Sequence, residues 1–199
     1  NYLKCVSQSS IIPILRLKGA KIDERCNIQS GITIHNCGNY KGLTIGKNCH
    51  IGKNCFLDLR DTITIGNNVV IAMNNTFITH MDMNNSNLRE LYPARQAPVI
   101  IKDDTYLGVN CTILMGVTVA NKAIVGANSL VTKDLHEKTI YAGSPAVKIR
   151  NINDITNNFV DKNITCVIVH TILWLKDTVD AKRALIKANL DDNSGRLGV

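Results

Sequence analysis

Aromatic residues make up only 5% of this chain, and no run of 18 apolar residues occurs in it. The first scarcity argues against a core organised around large rings, and the second against a helical membrane span. The seven cysteines, at 5, 26, 37, 49, 55, 111 and 166, are odd in number and form no CxxC pair. Zinc-site spacing is therefore absent, and free thiols in a reducing compartment, the cytoplasm, are expected. No glycine-rich phosphate loop of the P-loop or dinucleotide type is present, which speaks against ATP or NAD. No helix-turn-helix, zinc finger or aromatic-basic sheet motif supports nucleic-acid binding. The opening "NYLKCVSQSSIIPILRLKG" lacks the charged, apolar and cleavage regions of a secretory signal. What is plentiful is aliphatic side chains and positive charge, a net +7 that suits an anionic partner or a solvated surface.

The aliphatic residues recur at a fixed interval. Ile101, Leu107, Ile113, Val119, Val125 and Val131 stand six residues apart, as do Ile22, Ile28 and Ile34, then Ile45, Ile51 and Leu57. After a shift of two residues, Ile65, Ile71 and Phe77 continue the step. Four residues after many of these comes a small or short side chain, as at Cys26, Cys49, Cys55, Val69, Thr105, Cys111, Val117, Ala123 and Ser129. Glycine follows the aliphatic at Gly46, Gly52, Gly66, Gly108 and Gly126, where it is expected to supply the corner dihedrals.

A period of six fits neither a helix nor an alternating strand. It fits a β-solenoid in which three six-residue sides close one coil and coils stack at about 4.8 Å. The aliphatics then point inward in columns, and the cysteines serve as compact apolar fillers rather than redox or metal groups.

One stretch, "TFITHMDMNNSNLRELYPARQAPVIIKDD", breaks the rhythm directly after His80. Residues 81–98 form an insertion too long for a plain connection, which marks it as functional. A solenoid has flat faces and needs such an element to wall a pocket. A histidine there is a candidate base, because imidazole titrates near neutral pH. His35, His50, His136 and His170 lack that context. Asp82 and Glu90 are candidates to hold the second ring nitrogen, with a backbone carbonyl as the alternative. Tyr92 and Arg95, with Asp82 and Glu90, are candidate acceptor contacts.

The stretches "DTITIGNNVVIAMNNTFITH" and "IIKDDTYLGVNCTILMGVTVANKAIVGANSLVTKDLHEKTIYAGSPAVKIR" resemble the hexapeptide-repeat acetyltransferases, nearest to the galactoside, maltose and surface-polysaccharide O-acetyltransferases. The resemblance covers residues 22–150 and implies an all-β solenoid, a left-handed parallel β-helix, working as a homotrimer with sites between adjacent solenoids. It implies acetyl-CoA as co-substrate without a metal, and places the catalytic base at His80. The main-chain N–H of Val109 becomes the oxyanion donor. Tyr106, Gly108, Val109, Ala127, Thr132 and Lys133 fall along the cofactor groove, with Arg150 near the nucleotide phosphates, and Asn54 near the acceptor.

Residues 1–21 read as a lead-in without the long helical segment of the galactoside and maltose enzymes. Residues 151–199 read as a non-repeat extension, partly helical, whose 12-residue apolar run is too short for a bilayer. The expected activity is O-acetylation of a carbohydrate hydroxyl in a bacterial capsule, O-antigen or exopolysaccharide. The alternatives are a nucleotide-sugar N-acetyltransferase, for which no nucleotide-binding domain is found, and a non-catalytic β-helical assembly subunit. A γ-type carbonic anhydrase is disfavoured because the histidines are not spaced as its zinc ligands are.

Overall fold

The computed structural model describes residues 7–155 apart from residue 36. Over this range short strands alternate with corners and stack into three parallel sheets that enclose an aliphatic core. The first face holds Lys21–Ile22, Leu43–Ile45, Ile63–Ile65, Val99–Ile101 and Thr118–Val119. The second holds Asn27–Ile28, His50–Ile51, Val70–Ile71, Tyr106–Leu107, Ile124–Val125 and Thr139–Ala142. The third holds Thr33–His35, Phe56–Asp58, Thr76–Phe77, Thr112–Ile113 and Leu130–Val131. The six-residue aliphatics meet in register, Ile51 on Ile71 and Ile71 on Leu107, with neither isoleucine exposed above 1%. The repeat in sequence is thus a stacking repeat in space.

In-register partners show where the coils depart from 18 residues. Ile113 and Val131 are 18 apart, but Phe77 and Ile113 are 36, Leu57 and Phe77 are 20, and Ile34 and Leu57 are 23. All the extra length falls at one corner, between the third face and the first. There Ile34 precedes Ile45 by 11 residues, Leu57 precedes Ile65 by 8 and Phe77 precedes Ile101 by 24, against a step of six elsewhere. His35, Asp58 and His80 all sit at this corner. Stacking therefore brings together segments far apart in sequence.

The opposite corners are built by asparagine, and the expectation that glycine supplies their dihedrals is corrected. Asn48, Asn54, Asn68, Asn74, Asp104, Asn110, Lys122 and Asn128, each three residues after an inward aliphatic, have φ between 55° and 61°. Asparagine and aspartate adopt this left-handed conformation more readily than other side chains. Glycine answers a different need. A Cβ on Gly108 would lie 2.6 Å from the Ala127 amide nitrogen of the next coil, too close for any side chain. The corners at Asn48, Asn54, Asn68, Asn110 and Asn128 thus use glycine for the approach of the neighbouring coil and asparagine for the bend.

The small-residue position is buried throughout, and its polar atoms are satisfied by carbonyls. The Cys49 thiol donates to the Gly66 carbonyl at 3.0 Å, Cys111 to Gly126 at 3.1 Å, and the Ser129 hydroxyl to the same Gly126 oxygen at 2.6 Å. Burial pushes the Cys49 and Cys55 thiols up to about 11. A thiol whose folded value lies above its unfolded one binds its proton more tightly in the native state. Its contribution to stability is complete below the unfolded value near 9 and is lost as pH rises toward 11. Native protein at pH 8 is therefore expected to leave both thiols unalkylated by iodoacetamide, read by mass spectrometry, while the denaturation midpoint falls between pH 9 and 11.

The two ends of the described core differ. The lead-in contains a ten-residue helix, Gln8–Leu17, not recognised in the sequence, whose Ile11 and Leu15 join the core at the first coil. At the other end Val147–Asn151 turns back antiparallel on Thr139–Ala142, so the last residues of the 22–150 segment form a strand outside the parallel stack. Among the described residues no helix is long and apolar enough to cross a membrane. The extension expected over 151–199 lies outside the described residues from residue 156 onward.

Candidate active site

The insertion after Phe77 is an ordered hairpin. His80–Met81 pairs antiparallel with Arg95–Gln96, His80 opposite Gln96 and Met81 opposite Arg95. Toward the tip the Asp82 carboxylate accepts from the Asn84 amide at 2.9 Å, and Ser86 caps the turn Asn87–Glu90 by accepting from the Leu88 amide at 3.1 Å. His80 stands on the first strand of this ribbon, where the solenoid wall ends and the hairpin begins.

The group that holds His80 comes from the coil below. Asp58 Oδ2 lies 2.5 Å from His80 Nδ1. The same oxygen accepts from the Thr79 amide at 2.9 Å and lies 3.0 Å from the Thr79 hydroxyl, which in turn accepts from the Asp61 amide at 3.0 Å. Asp58 is 1% exposed and the His80 side chain 23%. A carboxylate buried this deeply persists as an anion only when hydrogen-bond donors surround it. Thr79 supplies a fixed donor, and the imidazole supplies another when its proton sits on Nδ1. That tautomer leaves Nε2 with a free lone pair, the form required of a base.

The candidates Asp82 and Glu90 are thereby corrected as orienting groups. Asp82 Oδ2 faces Arg60 at 3.7 Å, and Glu90 belongs to the exposed turn at the hairpin tip. Asp58 was missed because it lies 22 residues before His80 and outside the insertion. The signal that finds it is the two-residue excess before Ile65, which falls one coil below the insertion at the same corner.

His80 opens on a cleft of about 230 Å³ whose walls include Arg60, Asp82, Arg95 and Gln96. Arg95 is thus brought to the base, while Tyr92 stands half exposed farther along the hairpin. Leu88 and Leu91 are exposed near the tip.

The remaining candidates divide between two corners. Thr132 and Lys133 follow Val131, at the His80 corner but in later coils. Asn54, Val109 and Ala127 lie at the opposite end of the third face, the Asn128 amide donating to the Val109 carbonyl at 2.9 Å. Asn54 has φ 58° and its side chain packs on Gly31, so the bend accounts for this residue without an acceptor. Gly108 is buried and Tyr106 half-buried at the end of the second face. The Val109 amide has no acceptor among the described residues, which leaves it able to receive an oxyanion. On the returning strand, Arg150 Nε is buried without a partner among the described residues, an orphan donor that suits a phosphate. One face of five to six residues separates the two corners, roughly 15–20 Å. Within one chain, then, His80 and the Val109 amide do not meet.

A family model described as "Hexapeptide repeat of succinyl-transferase" matches residues 42–79 and 98–133, leaving the hairpin between the matched blocks. Among characterised proteins, the galactoside O-acetyltransferase of Escherichia coli K12 is 34% identical over 124 residues, 59% of this chain and 61% of that protein. The galactoside O-acetyltransferase of Lactococcus lactis is 29% identical over 147 residues, 71% of this chain and 67% of that protein. The chain thus spans about three fifths of the length of the Escherichia coli relative. A solved galactoside acetyltransferase in complex with coenzyme A superposes with a TM-score of 0.68 at 23% identity, over 81% of this chain and 80% of that one. That likeness assigns the solenoid to the left-handed parallel β-helix. With its repeats matched on both sides of the hairpin and its coils shared with that structure, the chain is similar to the hexapeptide-repeat proteins in sequence and has their fold.

Proposed function

We propose that this protein transfers an acetyl group from acetyl-CoA to a carbohydrate hydroxyl, with His80 as general base. The observation that carries the reading is the buried Asp58–His80 pair opening on a cleft at the foot of the hairpin. An alcohol is a poor nucleophile at neutral pH until its proton is removed as it attacks. His80 Nε2 takes that proton while the hydroxyl oxygen bonds to the thioester carbonyl carbon. Asp58 stays ionised and stabilises the imidazolium that forms. The intermediate collapses by breaking the carbon–sulfur bond, and the imidazolium returns its proton to the departing thiolate. An acetyl ester and CoA thiol result.

The developing oxyanion needs a donor already in place, and the Val109 amide suits this. Because it stands a full face away from His80 in the same chain, we assign each site to two chains, one giving the His80 corner and its neighbour the Val109 corner. Such head-to-tail contacts close into a ring, and the family resemblance implies a ring of three, a homotrimer. Tyr106, Gly108, Ala127, Thr132, Lys133 and Arg150 remain our assignments for the CoA groove. Light scattering on purified protein is expected to give a trimer across concentrations. A fully active monomer would overturn the shared site.

The acceptor in this reading is a surface polysaccharide of a bacterial capsule, O-antigen or exopolysaccharide. The cleft is bordered by a protruding hairpin whose exposed Leu88, Leu91 and Tyr92 give a longer sugar chain somewhere to lie. CoA-thiol release with acetyl-CoA, measured with and without added glycans, tests the reaction. Release that no glycan accelerates would count against it.

A further inference from the structure

Two arginines flank the cleft into which His80 opens. Arg60 leaves the solenoid corner two residues beyond Asp58, and Arg95 comes from the returning strand of the hairpin. Both line the same small cleft as the base. Their charges are not matched within it. Asp82 faces Arg60 at 3.7 Å, and its other oxygen already accepts from the Asn84 amide. Arg95 is exposed, and among the described residues no carboxylate stands within ion-pair distance of it. The wall therefore presents two guanidinium groups and one carboxylate.

A guanidinium does not shed its proton to relieve this surplus. The base is already served by Asp58, which meets the charge the imidazole gains, so the surplus bears on the ligand. A neutral sugar would leave Arg95 without a counter-charge, and amide or hydroxyl side chains such as Gln96 would suffice to bind it. An acceptor bringing its own negative charge supplies the missing partner. The planar fork of arginine also matches a carboxylate or phosphate through paired hydrogen bonds.

We propose that the acceptor sugar carries an anionic group, carboxylate or phosphate, which Arg95 binds with help from Arg60 so that a neighbouring hydroxyl lies at His80. The inference rests on the O-acetyl transfer reading and narrows its acceptor to acidic glycans. Arg95 and Arg60 are then specificity residues, and Asp82 holds Arg60 in place until the acceptor arrives.

The test uses the full chain and matched sets of methyl glycosides of galactose, glucose and mannose. Each set has three members: the neutral sugar, its uronate and its 6-phosphate. Binding is read by calorimetry and transfer by CoA-thiol release. An acidic member is expected to exceed its neutral counterpart by roughly 10- to 100-fold in affinity and kcat/KM, the range for hydrogen bonds between charged groups. The preference should shrink as salt is raised. Arg95→Gln should erase most of it and Arg95→Lys restore part of it, and the better of uronate and phosphate identifies the anion.

Neutral members bound and used as well as acidic ones would overturn the inference, as would a preference that Arg95→Gln leaves intact. A variant that only changes oligomeric state would make Arg95 an assembly residue and overturn it too. So would binding of no member. If acidic members bind through Arg95 but no sugar is acetylated, the anion site stands and the transfer reading falls.

Discussion

His80→Ala is expected to lower kcat on the true acceptor by about 10²- to 10⁴-fold, the range for losing a general base. The fold should survive, because His80 belongs to the hairpin and contributes nothing to the aliphatic columns. Circular dichroism and thermal melting would read the fold, and acetyl-CoA binding should change little, since the residues proposed for its groove lie in other coils. His80→Asn serves as a second variant: it keeps a hydrogen-bond donor toward Asp58 but offers no basic nitrogen. If either variant retains wild-type kcat, His80 is not the base.

Asp58→Asn is expected to cost roughly 10²- to 10³-fold in kcat, with a smaller change in KM, because the damage falls on the base and not on the sugar. One atom must serve both the Thr79 amide and His80 Nδ1, as Asp58 Oδ2 does, and the asparagine oxygen takes that place because an NH₂ there would face the Thr79 N–H. The Nδ1–H tautomer is therefore kept, but a neutral amide no longer stabilises the imidazolium that forms during turnover. Nitrogen chemical shifts of the labelled histidine ring should show the tautomer unchanged while kcat falls in a folded protein, a combination that a merely structural carboxylate would not give. Asp58→Ala removes the acceptor altogether and leaves the buried Thr79 amide unpaired. That should destabilise the protein by about 1–3 kcal/mol in addition to impairing turnover. Near-normal kcat in Asp58→Asn would show that the charge of Asp58 does not serve His80.

The repeat was legible in sequence because its physical demand is local. Every hexapeptide must bury one aliphatic and place one small residue where the wall bends, so each carries its own signature. Ile101 to Val131 shows it six times in succession. His80 was legible for the complementary reason, that the rhythm fails there. Asp58 was not, since the contact between residues 58 and 80 is made by stacking, and a reading along the chain sought the partner within the insertion. Coil arithmetic recovers it, because the two-residue excess after Leu57 and the hairpin after Phe77 share one corner. The corner asparagines were also readable, three residues after Ile45, Ile51, Ile65, Ile71, Leu107 and Val125, but glycine, the commoner source of positive φ, drew the assignment away from them. The helix over Gln8–Leu17 was hidden by its brevity and by Pro13 in its interior. The split of the candidate residues between two corners could not be seen before the faces were assigned.

The most direct test of the account is mass spectrometry of acidic surface glycans incubated with the full chain and acetyl-CoA. The account predicts glycans that gain acetyl esters in step with CoA thiol release, with the gain reduced at least a hundredfold in His80→Ala, within the range for loss of a general base. Acetylation that proceeds equally in His80→Ala, or thiol release with no acetyl on any glycan, would contradict it.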